Sequence, residues 1–262
     1  TYYENDDLDE KGNWGAKFGA AQFGLYLQDE WRANDKFTLT YGLRMDVPVM
    51  FKDPSVNEAF NNSDVAKKYG VATGDIASGN VLLSPRLGFR WYVDEEKNIL
   101  LRGGLGLFTG RVPFVWMSNQ YSNTGIDQVS VSSYDQSKFP HLGDRVTGDE
   151  VKEMGFGASA ATINVVDKKF KYPQVFRVNL AADFNLGNGW SATLEALYSK
   201  TFNNMYVQNI DYEDSGKKFY AVNSGMANAD NTAIVYNNMT SYSDIIYLKN
   251  TNKGYSYSLT AQ

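Results

Sequence analysis

The sequence has no cysteine, one histidine and only six prolines in 262 residues. Without cysteine there are no disulfides and no thiolate metal sites, which fits an oxidising compartment without requiring one. The one histidine, His141, stands beside Pro140 in a polar stretch, where a solvated surface residue is the ordinary outcome. There is no basic excess: 25 Lys and Arg stand against 30 Asp and Glu, a net charge of −5, so there is no footprint for nucleic acid. No stretch approaches the roughly 18 consecutive apolar residues of a membrane-spanning helix. Gly103-Gly-Leu-Gly106 lacks the strand–turn–helix setting and following lysine of a phosphate loop. Its glycines mark strand positions where another backbone comes close. The acidic run Glu4-Asn-Asp-Asp-Leu-Asp-Glu10 lacks the spacing of a calcium loop and reads as a solvated segment. No catalytic set emerges, so the chain is not expected to be an enzyme, nor to need a cofactor or metal.

What the sequence does have is aromatic residues and glycine: 18 Tyr, 15 Phe, 5 Trp and 23 Gly, a β-type composition. Period-two alternation runs through it. In 37–47, Phe37, Leu39, Tyr41, Leu43, Met45 and Val47 share one face, and Thr38, Thr40, Gly42, Arg44 and Asp46 the other. Segments 83–93, 99–109, 174–186, 190–198 and 255–261 alternate similarly, and 21–32 does so with one fault, Asp29 on its apolar face. The expected strands are about 10 to 15 residues long, whereas soluble strands average about 5 to 6. A tilted strand needs about 9 to 11 residues to cross a bilayer.

Connections alternate between short and long. Ala33-Asn-Asp-Lys36, Asp94-Glu-Glu-Lys-Asn98 and Gly187-Asn-Gly189 are tight turns. Between the hairpins lie long polar loops at about 52–80, 110–172 and 211–246. In an up-and-down sheet this puts every short turn at one end and every long loop at the other. Outer-membrane barrels have that asymmetry, with short periplasmic turns and long extracellular loops. Trp31, Phe37, Trp91 and Trp190 flank the three tight turns and suit an interfacial aromatic girdle; core aromatics near hairpin ends are the alternative. Arg44, Asp46, Arg86, Arg90, Arg102, Arg177, Asp183 and Glu195 fall on the non-apolar faces and suit a wide lumen, although a soluble sandwich would also expose charges. The expected fold is therefore all-β: an antiparallel up-and-down transmembrane β-barrel segment of about eight long strands, with membrane lipid around it, in the bacterial outer membrane. The chain starts without Met and stops inside an alternating run, so an internal piece of a longer protein is expected.

Several stretches together resemble the barrel region of TonB-dependent outer-membrane receptors. Phe23-Gly-Leu-Tyr-Leu-Gln-Asp-Glu-Trp31 followed by Phe37-Thr-Leu-Thr-Tyr-Gly-Leu-Arg44 looks like that family's recurrent hairpin. Leu83-Ser-Pro-Arg-Leu-Gly-Phe89 and Leu101-Arg-Gly-Gly-Leu-Gly-Leu-Phe-Thr-Gly-Arg111 resemble two further strand motifs. With Val112–Gly125, Gln174-Val-Phe-Arg177 and Lys253-Gly-Tyr-Ser-Tyr257, the chain looks most like the Oar-like branch, common in Bacteroidota, whose members usually carry a carboxypeptidase-regulatory-like domain at the N-terminus. The resemblance implies a 22-stranded barrel around a plug domain of the same parent chain, contact with TonB, and energy-coupled import of a scarce, large substrate. Residues 1–262 would be a partial barrel domain, without plug, TonB box or C-terminal strand.

No motif names the substrate: peptide, glycan and siderophore are all open, and a surface lipoprotein is a possible partner. Candidate ligand-binding residues are Trp116, Asn119, Tyr121, Tyr134, Tyr236 and Tyr242, all in the long loops, where flat rings stack and amides hydrogen-bond. Self-packing of the loops explains the same residues. Phe114–Tyr121 suits a short helix. The alternatives to a receptor segment are an uncoupled structural or adhesive barrel and a soluble carbohydrate-binding β-sandwich.

Overall fold

The computed structural model describes residues 2–3, 15–96, 98–111, 113–129, 153, 160–220 and 232–262. In chain order the elements are β1 (Tyr2–Tyr3), β2 (Ala20–Arg32), β3 (Phe37–Met50), α1 (Glu58–Asn61), α2 (Asp64–Tyr69), β4 (Leu82–Tyr92), β5 (Ile99–Thr109), α3 (Phe114–Ser122), β6 (Gln128–Val129), β7 (Thr162–Val166), β8 (Gln174–Gly187), β9 (Trp190–Asn209), β10 (Tyr212–Tyr220), β11 (Thr232–Asn238), β12 (Asp244–Thr251) and β13 (Tyr255–Ala261).

The long strands form one antiparallel wall in the order β2-β3-β4-β5-β8-β9, with β12 and β13 both laid against β9. These two form a single strand line, from Ile246 opposite Asn209 to Ala261 opposite Leu194, interrupted near Gly254 at φ +112°. The wall thus has seven strand lines, and β7 adds an eighth position beside β12. That last pair is parallel, Asp244 opposite Thr162 to Leu248 opposite Val166, the one departure from the expected antiparallel pattern in this sheet.

Local chemistry sets the hairpins. Asn34 Oδ1 accepts the backbone N–H groups of Lys36 and Phe37, closing the first turn. Asp94 accepts those of Asn98 and Ile99 at 2.9 Å each, closing the second. The third turn needs left-handed backbone at Gly187, Asn188 and Gly189 (φ +76°, +53° and +84°), which glycine and asparagine tolerate best.

The register separates two faces. Leu27, Leu43 and Pro85 line up on the outside, while Gln28, Gly42 and Arg86 line up on the inside. Apolar side chains of the outer face stand uncovered: Leu27 is 78%, Trp190 73% and Leu259 80% exposed. A soluble sandwich would bury such a face, so that alternative fails. Among the described residues no helix is long and apolar enough to cross a membrane; the crossing is made by strands.

The packed core lies at the long-loop end. One cluster joins inward-facing Met50 and Leu82 of the wall to Met117 and Tyr121 of α3, with Phe170 and Leu248. The second joins Phe60, Val65, Ile163, Ile210 and Ile245. Complete burial of Phe60 or Phe170 contributes about 1.5 to 3 kcal/mol each. The long connections therefore form a packed lobe over the inner side of the wall's upper rim. Segment 211–246, read from sequence as a loop, carries the β10–β11 hairpin and the start of β12. Its backbone groups find partners in that hairpin instead of water.

Candidate functional site

The inner face of the wall holds the charges that alternation placed there. Asp46 is nearly fully buried and is gripped from both sides. Arg44 donates from Nε and Nη2 at 2.7 Å each, a bidentate pair, and Gln22 Nε2 donates at 3.0 Å. Lower down, Arg102 Nε donates to Asp183 Oδ2 at 2.7 Å, and Thr193 Oγ1 donates to Asp183 Oδ1 at 2.8 Å. Between these pairs Arg86 and Arg177 flank the Phe108 ring, with guanidinium carbons 4.8 and 6.0 Å from its centroid.

Two concavities follow the same face. The upper one, about 450 Å³, is lined by Gln22, Tyr26, Arg44, Asp46, Arg86 and Arg111. The other, about 320 Å³, includes Gln28, Gly42, Gly88, Gly104, Phe108 and Arg177. The arrangement offers hydrogen-bond donors and positive charge to a solute in the lumen. Among the described residues no group of three or more His, Cys, Asp or Glu could hold a metal ion.

The loop residues chosen from sequence are spread through the lobe. Trp116, Asn119 and Tyr121 all lie on α3. Tyr121 is buried, stacks on Phe18 with centroids 4.7 Å apart, and donates its hydroxyl to Lys52 O at 2.5 Å. Burial, with the charge of Asp53, pushes its hydroxyl up to about 12. Trp116 packs against the same cluster, and the Asn119 carbonyl accepts the N–H of Asn123 at 3.0 Å. Tyr242 packs edge-on against Phe60 in the second cluster. Tyr236 stays exposed on β11, 6.2 Å from the Tyr212 ring. Tyr134 lies outside the described residues, as do His141 and the 4–10 acidic run. The structure thus brings Trp116 and Tyr121 together and leaves Tyr236 apart.

Gln22, Phe108 and Arg111 were not singled out from sequence as site residues. For Gln22 a signal existed: it sits two residues before Gly24, in phase with the polar face of β2, and Gly24 pairs with Asp46. Arg111 lies beyond the end of β5, where alternation gives no direction.

The profile described as outer membrane beta barrel domain matches residues 10–262. No curated protein matches the chain. Among solved structures it is similar to a mutant form of the ferric enterobactin receptor PfeA from Pseudomonas aeruginosa: 15% identity over 92% of this chain and 24% of that one, with a TM-score of 0.49. It is also similar to the siderophore receptor PirA from the same organism: 13% identity, 92% of this chain and 30% of that one, TM-score 0.44. The chain thus spans less than a third of those receptors' length.

Proposed function

Because this chain belongs to the outer membrane beta barrel domain family, whose profile covers residues 10–262, we propose that it is a wall segment of an outer-membrane receptor that imports a scarce, large substrate. The carrying observation is the two-sided wall: uncovered apolar side chains outside, charged and hydrogen-bonding side chains inside, and a packed lobe at the mouth. Lipid takes the outer face, and the inner face meets water and cargo.

Among the described residues β2 and β13 leave the two edges of the spanning wall unpaired, which supports a larger barrel of about 22 strands. In lipid each unpaired edge group costs several kcal/mol, so the edges need neighbours. Within that barrel a plug domain of the same parent chain gates the lumen, and TonB in the periplasm supplies the energy. The motifs Phe23–Trp31, Phe37–Arg44, Leu83–Phe89 and Leu101–Arg111 support a TonB-dependent receptor, and Val112–Gly125, Gln174–Arg177 and Lys253–Tyr257 add support for the Oar-like branch of Bacteroidota. The substrate is a peptide, glycan or siderophore, delivered with a surface lipoprotein over the lobe.

The experiment is deletion of the parent gene and, separately, of TonB in the native host, with growth measured on each substrate class as the limiting nutrient. Both deletions should abolish growth on one class. Growth that depends on the parent gene but survives TonB loss would point to an uncoupled barrel.

A further inference from the structure

We propose that the inner wall carries an arginine track for an anionic cargo, of the carboxylate or phosphate class, running from the mouth toward the short-turn end. This specifies the substrate chemistry of the import function proposed above and rests on it.

The chain as a whole is acidic, at −5, but its inner wall is not. Six arginines stand against four carboxylates on the inward positions of the spanning strands. Three of the six are ion-paired, Arg32 with Glu30, Arg44 with Asp46 and Arg102 with Asp183. Among the described residues Arg86, Arg90 and Arg177 form no such pair. They are not scattered. Arg86 and Arg177 flank Gly106 in one cross-strand row, and the Phe108 ring covers the glycine between their guanidiniums. Arg90 stands directly opposite Arg102. Like charges placed opposite one another destabilise a sheet.

A wall that needed only polarity could use uncharged residues. The inward positions of β13 do so, with Ser256, Ser258 and Thr260. The positive charge is concentrated on β3, β4, β5 and β8, where Asp46 and Asp183 offset only part of it and a bound anion would offset the rest. Arg86 and Arg90 are four residues apart, about 13 Å along the strand. That spacing suits two anionic groups of one extended solute, or successive positions of one group in transit.

The upper end of the track is a built entry point. The 450 Å³ concavity gathers Arg44, Arg86 and Arg111 within the volume range of ordinary ligand sites. Arg44 is held in place by its fork on Asp46. The packed lobe lies beside it, so a solute entering past the lobe meets these guanidiniums first. A concave surface with a net positive charge raises the local concentration of its counter-ion.

The test uses the full-length parent receptor purified in detergent, with tripolyphosphate as the probe and calorimetric titration as the readout. Wild type should bind, and the affinity should fall steeply with added salt. Arg86→Gln/Arg177→Gln should weaken binding by about tenfold or more, whereas Arg32→Gln, which alters an existing ion pair, should leave it unchanged. Assembly of the variants is checked by folded-band mobility on unheated gels. If the glutamine pair fails to assemble, Arg86→Lys/Arg177→Lys and the wild-type salt dependence decide instead. Absence of binding by wild type, or equal binding by the double variant, overturns the track. Binding that appears only after the plug region is deleted also overturns it, because the arginines then serve plug carboxylates. TonB-independent growth with tripolyphosphate binding intact would sink energy-coupled import and leave the track standing.

Discussion

Asp29 and Tyr41 face each other across β2 and β3 on the outer side of the wall, and the Tyr41 hydroxyl donates to Asp29 Oδ2 at 2.8 Å. Asp29 was the one fault in the alternation of β2. Its other oxygen accepts the backbone N–H of Glu30 at 2.9 Å. The polar residue on the lipid-facing side is therefore doubly bonded, and it lies two residues from Trp31, near the short-turn end.

Tyr41→Phe removes the side-chain donor and leaves the carboxylate against lipid. In the assembled parent barrel it should lower stability by about 1 to 3 kcal/mol, read by urea unfolding of the membrane-inserted protein. Adding Asp29→Leu should recover most of the loss. Loss in the double variant equal to the sum of the single losses would show that the two residues act independently.

Gly103 lies opposite Phe89 on the outer face, and a Cβ built there would sit 2.7 Å from Asn179 O and 2.9 Å from the Phe89 ring. Gly103→Val should displace the ring and strain the β5–β8 pairing. The expected cost is about 1 to 3 kcal/mol, seen as a lower midpoint in the same unfolding experiment. Gly103→Val with Phe89→Ala should be tolerated better than Gly103→Val alone.

Asp94 closes the β4–β5 turn through the N–H of Ile99 first and of Asn98 second, and these bonds hold its carboxyl below the ordinary value. A depressed acid stabilises the fold above its unfolded value of about 3.9, and the contribution is lost as pH falls through the folded value. Amide hydrogen exchange at Asn98 and Ile99 should accelerate, relative to the intrinsic rate, as pH drops below about 4. Asp94→Asn should abolish that pH dependence.

Tyr121 runs the opposite way. Its hydroxyl is raised to about 12 by burial, so the neutral form stabilises the lobe fully below about 10 and that stabilisation is lost as pH rises through the folded value. Ultraviolet titration should show a late-ionising phenol that Tyr121→Phe removes, together with loosening of the lobe. Tyr121→Phe keeps the stack on Phe18 and should cost about 1 kcal/mol, whereas Tyr121→Ala should cost about 3 to 5 kcal/mol.

Tyr236 is the most exposed of the described ring candidates for ligand contact. Tyr236→Ala should reduce cargo capture by whole cells without moving the unfolding midpoint. A drop in stability with capture unchanged would identify it as a packing residue of the β10–β11 hairpin.

The wall was legible because each strand's pattern reports on its own two environments. Phe37 to Asp46 alternate, and the register of β3 with β2 and β4 puts them where the alternation says. The lobe was not legible. Thr162 pairs with Asp244, 82 positions away in sequence, and the short run Thr162–Val166 is almost wholly buried, so no period marks its faces. Tyr121 reads as a ligand contact when only its ring and its loop setting are known. Its burial depends on Phe18 and Lys52, which no local pattern connects to it. Asp29 looked like an error in β2 until its partner on the next strand was in view.

The stitching of β7 to β12 has a mechanical consequence. Lys168 grips Asp75, Asn57 reaches the Thr124 carbonyl, and Ser243 N–H binds the Ala161 carbonyl, so the three surface excursions are riveted to one another. Among the described residues none of the three can swing aside alone. Under the import function proposed above, cargo would have to move this block as a unit or pass beside it, and antibodies raised against single linear peptides from its described residues should fail to recognise intact cells.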